Sequence, residues 1–173
     1  MGDAMHAVLD PGCSVFDVGC GPALFIERLA ELGHVVWGCD ASKAALAAVS
    51  PAIRHRVVYQ DITAWDPEPM NVPDFAKSDA VVCVEVAEHL AAEYADRLVA
   101  GLCLFARDRI IFSAAPPGQG GTDHVNEQPP GYWLEKFAAR GWVVGTRTLV
   151  LRAEMLRRNA AHSPGWLVWN SVG

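Results

Sequence analysis

The chain lacks any long uninterrupted apolar stretch, and no run approaches the roughly 18 residues that a membrane-spanning helix requires. It also lacks a basic segment followed by an apolar run at its N-terminus, which is the pattern of a secretory signal. Its five cysteines are an odd number, include no C-x-x-C pair and fall mostly in or beside apolar stretches. These absences argue against membrane helices and against a disulfide framework, and they predict a cytoplasmic protein with reduced thiols.

Positive charge is scarce in most of the chain. The 173 residues are 51% apolar and 20% charged, with a net charge of −6, which is typical of one globular domain. Residues 1–134 contain 18 acidic and 8 basic side chains, whereas residues 135–173 contain 2 and 6. The basic part fits an exposed helix around Arg152, Arg157 and Arg158, with a phosphate-contacting patch as the alternative. Net negative charge disfavours nucleic acid as a partner.

Apolar stretches and amphipathic segments alternate along the chain. The apolar stretches predict strands at Ser14–Val18, His34–Cys39, Arg56–Tyr59, Asp79–Glu85, Arg109–Ser113, Trp142–Thr148 and Trp166–Val172. The intervening segments predict helices at 3–9, 24–32, 42–49, 91–105, 131–140 and 150–159, with an exposed Pro-rich loop at 66–74 and a polar loop at 114–128. This alternation predicts parallel βαβ units in a three-layer α/β sandwich.

A glycine turn follows the first predicted strand and precedes a helix. Its sequence is Asp17-Val18-Gly19-Cys20-Gly21-Pro22-Ala23. Glycine at positions 19 and 21 lets the backbone approach a ligand without an intervening Cβ, and the following helix N-terminus favours a nucleotide-like ligand. The dinucleotide fingerprint G-x-G-x-x-G would need glycine at position 24, where this chain has Leu24. The turn therefore predicts a nucleotide-like ligand other than a nicotinamide dinucleotide.

Three acidic residues end predicted strands: Asp40, Asp61 and Glu85. The carboxyl ends of parallel strands meet at one edge of the sheet, where open α/β sheets bind their ligands. We therefore expect these three carboxylates to lie around one cleft, together with the glycine turn.

In these motifs the sequence resembles the class I S-adenosylmethionine-dependent methyltransferases, and in particular the ubiquinone-biosynthesis-type O-methyltransferases. The residues that carry the resemblance are Asp17–Pro22, Asp40, Gln60-Asp61-Ile62 and the run Cys83–Leu90. The resemblance implies a Rossmann-like, seven-stranded, mostly parallel sheet with an antiparallel last strand. It covers residues 1–173 as a single domain with a shortened N-terminal segment, since 13 residues precede Ser14.

The resemblance also implies S-adenosyl-L-methionine as the cofactor and assigns roles to residues. Asp17 would anchor the turn and reach the methionine ammonium through a water, and Asp40 would accept hydrogen bonds from both ribose hydroxyls. Asp61 would accept a hydrogen bond from the adenine amino group, while Ile62 and Ala41 would cover the two faces of the adenine ring. The full implied set is Asp17, Gly19, Cys20, Gly21, Asp40, Ala41, Asp61, Ile62 and Glu85.

A run of ionisable residues follows the fourth predicted strand. If the chain turns helically there, Glu85, Glu88 and His89 lie on one face, and His124 in the polar loop should overhang the same cleft. Small-RNA ribose 2′-O-methyltransferases have a similar Glu-x-x-Glu-His run and a loop histidine. That resemblance implies a Mg²⁺-like ion held by Glu85, Glu88, His89 and His124. The alternative is metal-free catalysis with His89 or His124 as the general base and Glu85 beside them.

These observations predict an S-adenosylmethionine-dependent methyltransferase that acts on a hydroxyl of a small molecule, such as a sugar or a phenolic metabolite. RNA ribose 2′-O-methylation is one alternative, and a cofactor-binding interaction subunit without turnover is another. We expect no membrane association. Because the N-terminal segment is short, we expect one of three arrangements: the cleft is open, a bulky substrate covers it, or a partner subunit of a homodimer covers it.

Overall fold

The structure is a computed structural model that describes residues 1–65, 77–157 and 167–171. For residues 156 and 167–171 it describes the backbone only. The predicted loop at 66–74 lies outside the described residues. The same holds for residues 158–159 of the last predicted helix and for the two end residues, 166 and 172, of the last predicted strand. Among the helices in the described part of the chain, none has the length and apolarity to span a bilayer.

The sheet is built from β1 (Ser14–Val18), β2 (Val35–Asp40), β3 (Val57–Tyr59), β4 (Ser78–Val84), β5 (Ala106–Ser113), β6 (Trp142–Val144) and β7 (Leu167–Ser171). The strand order is β3-β2-β1-β4-β5-β7-β6. Strands β1 to β5 form parallel pairs, and β7 runs antiparallel to β5 and β6. The order reverses between β1 and β4, so the ligand-binding edge of such a sheet lies there.

In the part of the chain that the structure describes, six α-helices cover the sheet: α1 (Gly2–His6), α2 (Leu24–Glu31), α3 (Lys43–Ala47), α4 (Ala95–Phe105), α5 (Pro130–Ala138) and α6 (Arg147–Arg157). One core contains residues of α1, α2 and α6, and a second contains residues of α4 and α5. Neighbouring strand residues alternate between them, because Val15 lies in the first core and Phe16 in the second. The predicted α/β Rossmann-like architecture is confirmed.

Several element boundaries differ from the prediction, and two of them have a clear structural reason. Strand β5 begins at Ala106 rather than Arg109, since the exposed Arg107 and Asp108 hide the strand pattern. The predicted strand from Trp142 ends at Val144, and α6 begins at Arg147. The guanidinium of Arg147 donates to the Val8 carbonyl oxygen at 2.8 Å, which fixes the start of α6 against the N-terminal segment.

Candidate functional site

The turn after β1 adopts a backbone that favours glycine. Gly19 and Gly21 have φ of +77° and +54°, and Ala23 also lies in the left-handed region at φ +62°. The amides of Gly19 and Cys20 both donate to the Cys39 carbonyl oxygen, at 2.8 and 2.9 Å. These bonds tie the turn to the end of β2, so the turn and the β2 carboxylate form one unit.

Two carboxylates at neighbouring strand ends have fixed orientations. Asp40 accepts from the Gly21 amide at 2.7 Å and from the Ser42 amide at 2.6 Å, one on each oxygen. Asp61 accepts through Oδ1 from the Thr63 amide at 2.9 Å and from the Thr63 hydroxyl at 2.7 Å. Backbone amides hold both carboxylates in place before any ligand arrives.

A cavity of about 480 Å³ opens at this edge of the sheet. The residues that line it come from the ends of β1 to β4 and the turns that follow them: Gly19, Asp40, Ala41, Ser42, Asp61, Ile62, Glu85, Val86, His89 and Leu90. Most of the residues expected to hold the cofactor are therefore brought together. Asp17, Cys20 and Gly21 are outside this lining, while Ser42, Val86 and Leu90 were not foreseen.

Glu85 departs from the expected geometry. Its φ is +55°, outside the right-handed helical region, and a short 3-10 helix forms only at Ala87–His89. The expectation that Glu85 shares a helical face with Glu88 and His89 is therefore wrong. The Ser113 hydroxyl accepts from the Glu85 amide at 3.2 Å and donates to Oε1 at 2.6 Å, and Gln119 donates to Oε2 at 3.3 Å. The Glu85 carboxylate is held by β5 and by the loop after it.

Glu88, His89 and His124 form a compact cluster. Each offers one ligand atom, and these atoms lie within 4.8 Å of one another. The two imidazole rings meet edge to face, with centroids 4.9 Å apart and an interplanar angle of 85°. Glu88 is fully buried, His89 is exposed and His124 is half-buried. Three of the four residues expected at a metal site are thus adjacent, and Glu85 is outside the cluster.

The loop after β5 is attached to the turn that carries Glu88 and His89. The amides of Val125 and Asn126 donate to the Glu88 carbonyl oxygen at 2.9 and 3.0 Å. The His89 Nδ1 lies 3.3 Å from the Asp123 carbonyl oxygen. These contacts carry His124 to the cleft, although 35 residues separate it from His89 in the sequence.

Two buried carboxyl groups carry the unusual electrostatics of the site. Burial, with a smaller contribution from the Asp40 charge, raises the pKa of Asp17 to about 7. Burial also raises the pKa of Glu88, and the nearby charge of Glu85 adds to this effect. As carboxylates, Asp17 Oδ2 and both Glu88 oxygens have no donor among the described residues. A protonated Glu88 can instead donate to Glu85.

The raised pKa of Asp17 predicts that the ligand-free protein loses stability as pH rises from about 4 to about 7. The folded chain then keeps a proton that the unfolded chain has released at its ordinary pKa of 3.8. The free energy of unfolding should fall by on the order of 4 kcal/mol across this pH range. Chemical denaturation between pH 5 and pH 8 should show this slope in the wild type and a shallower one in Asp17→Asn. The exposed Asp108→Asn should keep the wild-type slope, and an unchanged slope in Asp17→Asn would contradict the prediction.

Sequence motifs did not reveal three supporting residues, namely Ser113, Gln119 and Glu127. Ser113 ends an apolar strand, and its partner Glu85 lies 28 residues earlier. Glu127 is three residues after His124 and contacts its ring, so that spacing was the one available signal. Contacts between distant segments leave no periodic pattern in the sequence.

Known proteins are similar in sequence to the part of the chain that contains these motifs. A family profile described as a methyltransferase domain matches residues 16–103. The chain is 30% identical over 105 residues to magnesium protoporphyrin IX methyltransferase of Arabidopsis thaliana, covering 61% of this chain and 33% of that protein. It is 38% identical over 82 residues to ubiquinone biosynthesis O-methyltransferase of Alkalilimnicola ehrlichii, covering 46% and 32%. The chain spans about a third of the length of these relatives.

Solved structures share the fold across the chain. Magnesium protoporphyrin IX methyltransferase from Synechocystis PCC 6803 with bound SAH superposes with a TM-score of 0.72 at 20% identity, covering 98% of this chain and 80% of that chain. The [4+2]-cyclase SpnF has the same fold, with a TM-score of 0.66 at 18% identity, covering 99% and 81%. A fold shared with a cyclase shows the architecture alone. The family profile, which matches over half of the chain, confirms the resemblance inferred from the motifs: the chain belongs to the methyltransferase domain family.

Proposed function

We propose that this chain is an S-adenosylmethionine-dependent methyltransferase that acts on a hydroxyl of a small molecule. The observation that carries the proposal is a single cavity bounded by Gly19, Asp40 and Asp61, with His89 in its lining. His124 belongs to the cluster that includes His89. The cavity thus combines a region suited to a nucleoside with one imidazole in its lining and a second imidazole next to it, an arrangement that suits methyl transfer from a nucleoside cofactor.

The residues present fit the cofactor. A Cβ on Gly19 would lie 2.4 Å from Val86 Cγ2, so the bare backbone at this position leaves the cavity open. Asp40, with its orientation fixed, would accept hydrogen bonds from the ribose hydroxyls. Oδ2 of Asp61, the oxygen not bonded to Thr63, would accept a hydrogen bond from the adenine amino group. The buried Asp17, whose Oδ2 has no donor among the described residues, suits a water-mediated contact with an ammonium group.

The chain's residues supply positioning and a proton acceptor. S-adenosylmethionine, when bound, would supply the methyl group: the acceptor oxygen would bond to the methyl carbon while the carbon–sulfur bond breaks, and the electron pair would stay on sulfur as a neutral thioether. The acceptor's proton passes to a neutral imidazole, for which His89 and His124 are the candidates. Holding the two reactants in line removes much of the entropic barrier. Glu85, fixed by Ser113, borders the same cavity.

Several observations support a small acceptor with a reactive oxygen. The relatives include a ubiquinone biosynthesis O-methyltransferase and, in Synechocystis, a magnesium-protoporphyrin O-methyltransferase. The cavity volume of about 480 Å³ is in the range of small-molecule sites. The net charge of −6 disfavours a polyanionic acceptor such as RNA.

Glu88, His89 and His124 also fit a divalent cation, which gives the proposal a metal-assisted form. Two imidazole nitrogens and one carboxylate are typical ligands of transition metals such as Mn²⁺ or Zn²⁺, whereas Mg²⁺ prefers oxygen ligands throughout. A cation bound there would supply positive charge that lowers the pKa of a hydroxyl. In the metal-free form, an imidazole alone takes the proton.

The direct test is calorimetric titration of the purified chain with S-adenosylmethionine, S-adenosylhomocysteine and NAD⁺. We expect the first two to bind and NAD⁺ not to bind. Asp40→Ala should weaken cofactor binding by about 10- to 100-fold, because it removes charged hydrogen bonds to the ligand. Release of S-adenosylhomocysteine in the presence of hydroxylated small molecules then tests turnover.

Asp108→Ala, which removes an exposed carboxylate away from the cavity, is the matched control and should bind as the wild type does. Failure of the wild type to bind S-adenosylmethionine would overturn the proposal. Tight binding without turnover on any acceptor would favour the interaction-subunit alternative and contradict the proposed activity.

A further inference from the structure

The loop between β5 and α5 is folded around one carboxylate, that of Glu127. Its Oε2 accepts from the Gly118 amide at 2.7 Å, and its Oε1 accepts from the Gly120 amide at 2.7 Å. Both glycines have positive φ, +85° and +67°, which turns their amides towards the same side chain. The Glu127 carboxylate thus replaces the backbone acceptors that an irregular loop lacks.

The same carboxylate contacts a histidine of the candidate site. His124 Nδ1 lies 2.9 Å from Glu127 Oε1, and the two side chains are only 11% and 19% exposed. A carboxylate accepts hydrogen bonds and does not donate them, so the proton of a neutral His124 ring lies on Nδ1. The lone pair is then on Nε2, which is the nitrogen left to act as a base or a ligand.

The position of the His124 ring is restricted on a second side. A Cβ on Gly121 would lie 2.4 Å from His124 Nε2, so any side chain at 121 would displace the ring. The ring also packs edge to face against His89. A glycine, an imidazole and a carboxylate therefore surround His124 and leave it few orientations.

We propose that Glu127 is a positioning residue that fixes His124 as the Nδ1–H tautomer and holds its loop at the Glu88–His89 turn. A carboxylate that accepts the second ring proton orients the imidazole both in histidine-based catalysis and in histidine metal sites. Glu127 thereby decides which nitrogen of His124 carries the lone pair. The role of that nitrogen rests on the proposed function, whereas the tautomer and the loop geometry do not.

The tautomer can be measured without cofactor or acceptor. Long-range ¹H–¹⁵N correlation spectra of ¹⁵N-histidine-labelled protein, recorded at about pH 8.5 where ordinary imidazoles are neutral, distinguish Nδ1–H from Nε2–H rings. His124→Gln identifies the His124 signals. We expect the Nδ1–H form for wild-type His124 and a shift towards the Nε2–H form in Glu127→Ala, which removes the acceptor of the Nδ1 proton. Glu135→Ala, the same change on an exposed face of α5, should keep the wild-type spectrum.

Activity supplies a second readout. Loss of a residue that orients a histidine ligand or base typically costs about 10- to 100-fold in activity or metal affinity. Glu127→Ala should lower kcat by that factor and leave the KM for S-adenosylmethionine unchanged, because Glu127 does not line the cavity. A merely structural role would lower the thermal stability without this split between kcat and KM.

The outcomes separate the two proposals. An Nε2–H tautomer in wild-type His124, or an unchanged tautomer in a folded Glu127→Ala, would overturn the positioning role whatever the protein catalyses. If Glu127→Ala fails to fold, the wild-type spectrum still tests the predicted tautomer. An Nδ1–H wild type that converts in the variant, combined with no methyl transfer on any acceptor, would support the positioning role and contradict the proposed function.

Discussion

Gly19→Ala is expected to lower the affinity for S-adenosylmethionine by at least about tenfold. The added Cβ would lie 2.4 Å from Val86 Cγ2 and 3.1 Å from Cγ1, so the turn or Val86 must shift, and both line the cavity. Overpacking of this kind costs about 1–3 kcal/mol, and the left-handed backbone at φ +77° adds about 1–2 kcal/mol. Calorimetric titration measures the affinity, and thermal unfolding measures the loss of stability.

Gly12→Ala is the matched control for this substitution. Gly12 has a similar φ of +72° and precedes the N-terminal end of β1, whereas Gly19 follows the C-terminal end. No atom lies within 4 Å of the position that a Cβ would take at Gly12. It should lose about 1–2 kcal/mol of stability from backbone strain alone and keep full cofactor affinity.

A double mutant tests the cause of the Gly19→Ala effect. Adding Val86→Ala removes both methyl groups that the new Cβ would meet, so part of the lost affinity should return. If Gly19→Ala binds the cofactor as tightly as the wild type, the turn does not lie against the ligand and the proposed cofactor site is wrong.

Glu88→Gln is expected to abolish metal-assisted turnover and, at the same time, to stabilise the ligand-free protein. The wild-type carboxylate is fully buried, and its oxygens have no donor among the described residues. Burying an unpaired charge is costly, so the neutral amide should raise the melting temperature, most clearly above the raised pKa of Glu88. Each kcal/mol gained corresponds to about 2–4 °C for a chain of this size.

This combination separates loss of function from misfolding. In the metal-assisted form, Mn²⁺ titrated into the wild type binds, a chelator stops turnover, and Glu88→Gln weakens Mn²⁺ binding by about 10- to 100-fold or more. Glu93→Gln, an exposed change five residues later, should alter neither property. In the metal-free form, chelator has no effect, Glu88→Gln stays active, and His89→Ala or His124→Ala loses activity. Chelator-insensitive turnover with active Glu88→Gln would rule out the metal.

The supporting contacts show where sequence reasoning ends. The turn at Gly19 and the carboxylate of Asp40 could be placed from the sequence because each follows directly from the end of an apolar strand. The left-handed conformation of Glu85 could not be placed in this way, because the spacing of Glu85, Glu88 and His89 also fits a helix. That conformation is accompanied by bonds to Ser113 on β5, which a one-dimensional pattern does not encode.

By itself, the sequence determined the alternation of strands and helices, the glycine turn and the edge of the sheet where a ligand would lie. These features depend on local backbone geometry and on the two periodicities of buried side chains, both of which are written in neighbouring residues. The sequence already placed His124 beside Glu88 and His89, whereas only the tertiary structure decided that Ser113 of β5 holds the Glu85 carboxylate and that Glu127 holds the loop. Those arrangements depend on side chains and amides that meet across 28 or more residues, or within an irregular loop, where no repeating pattern exists.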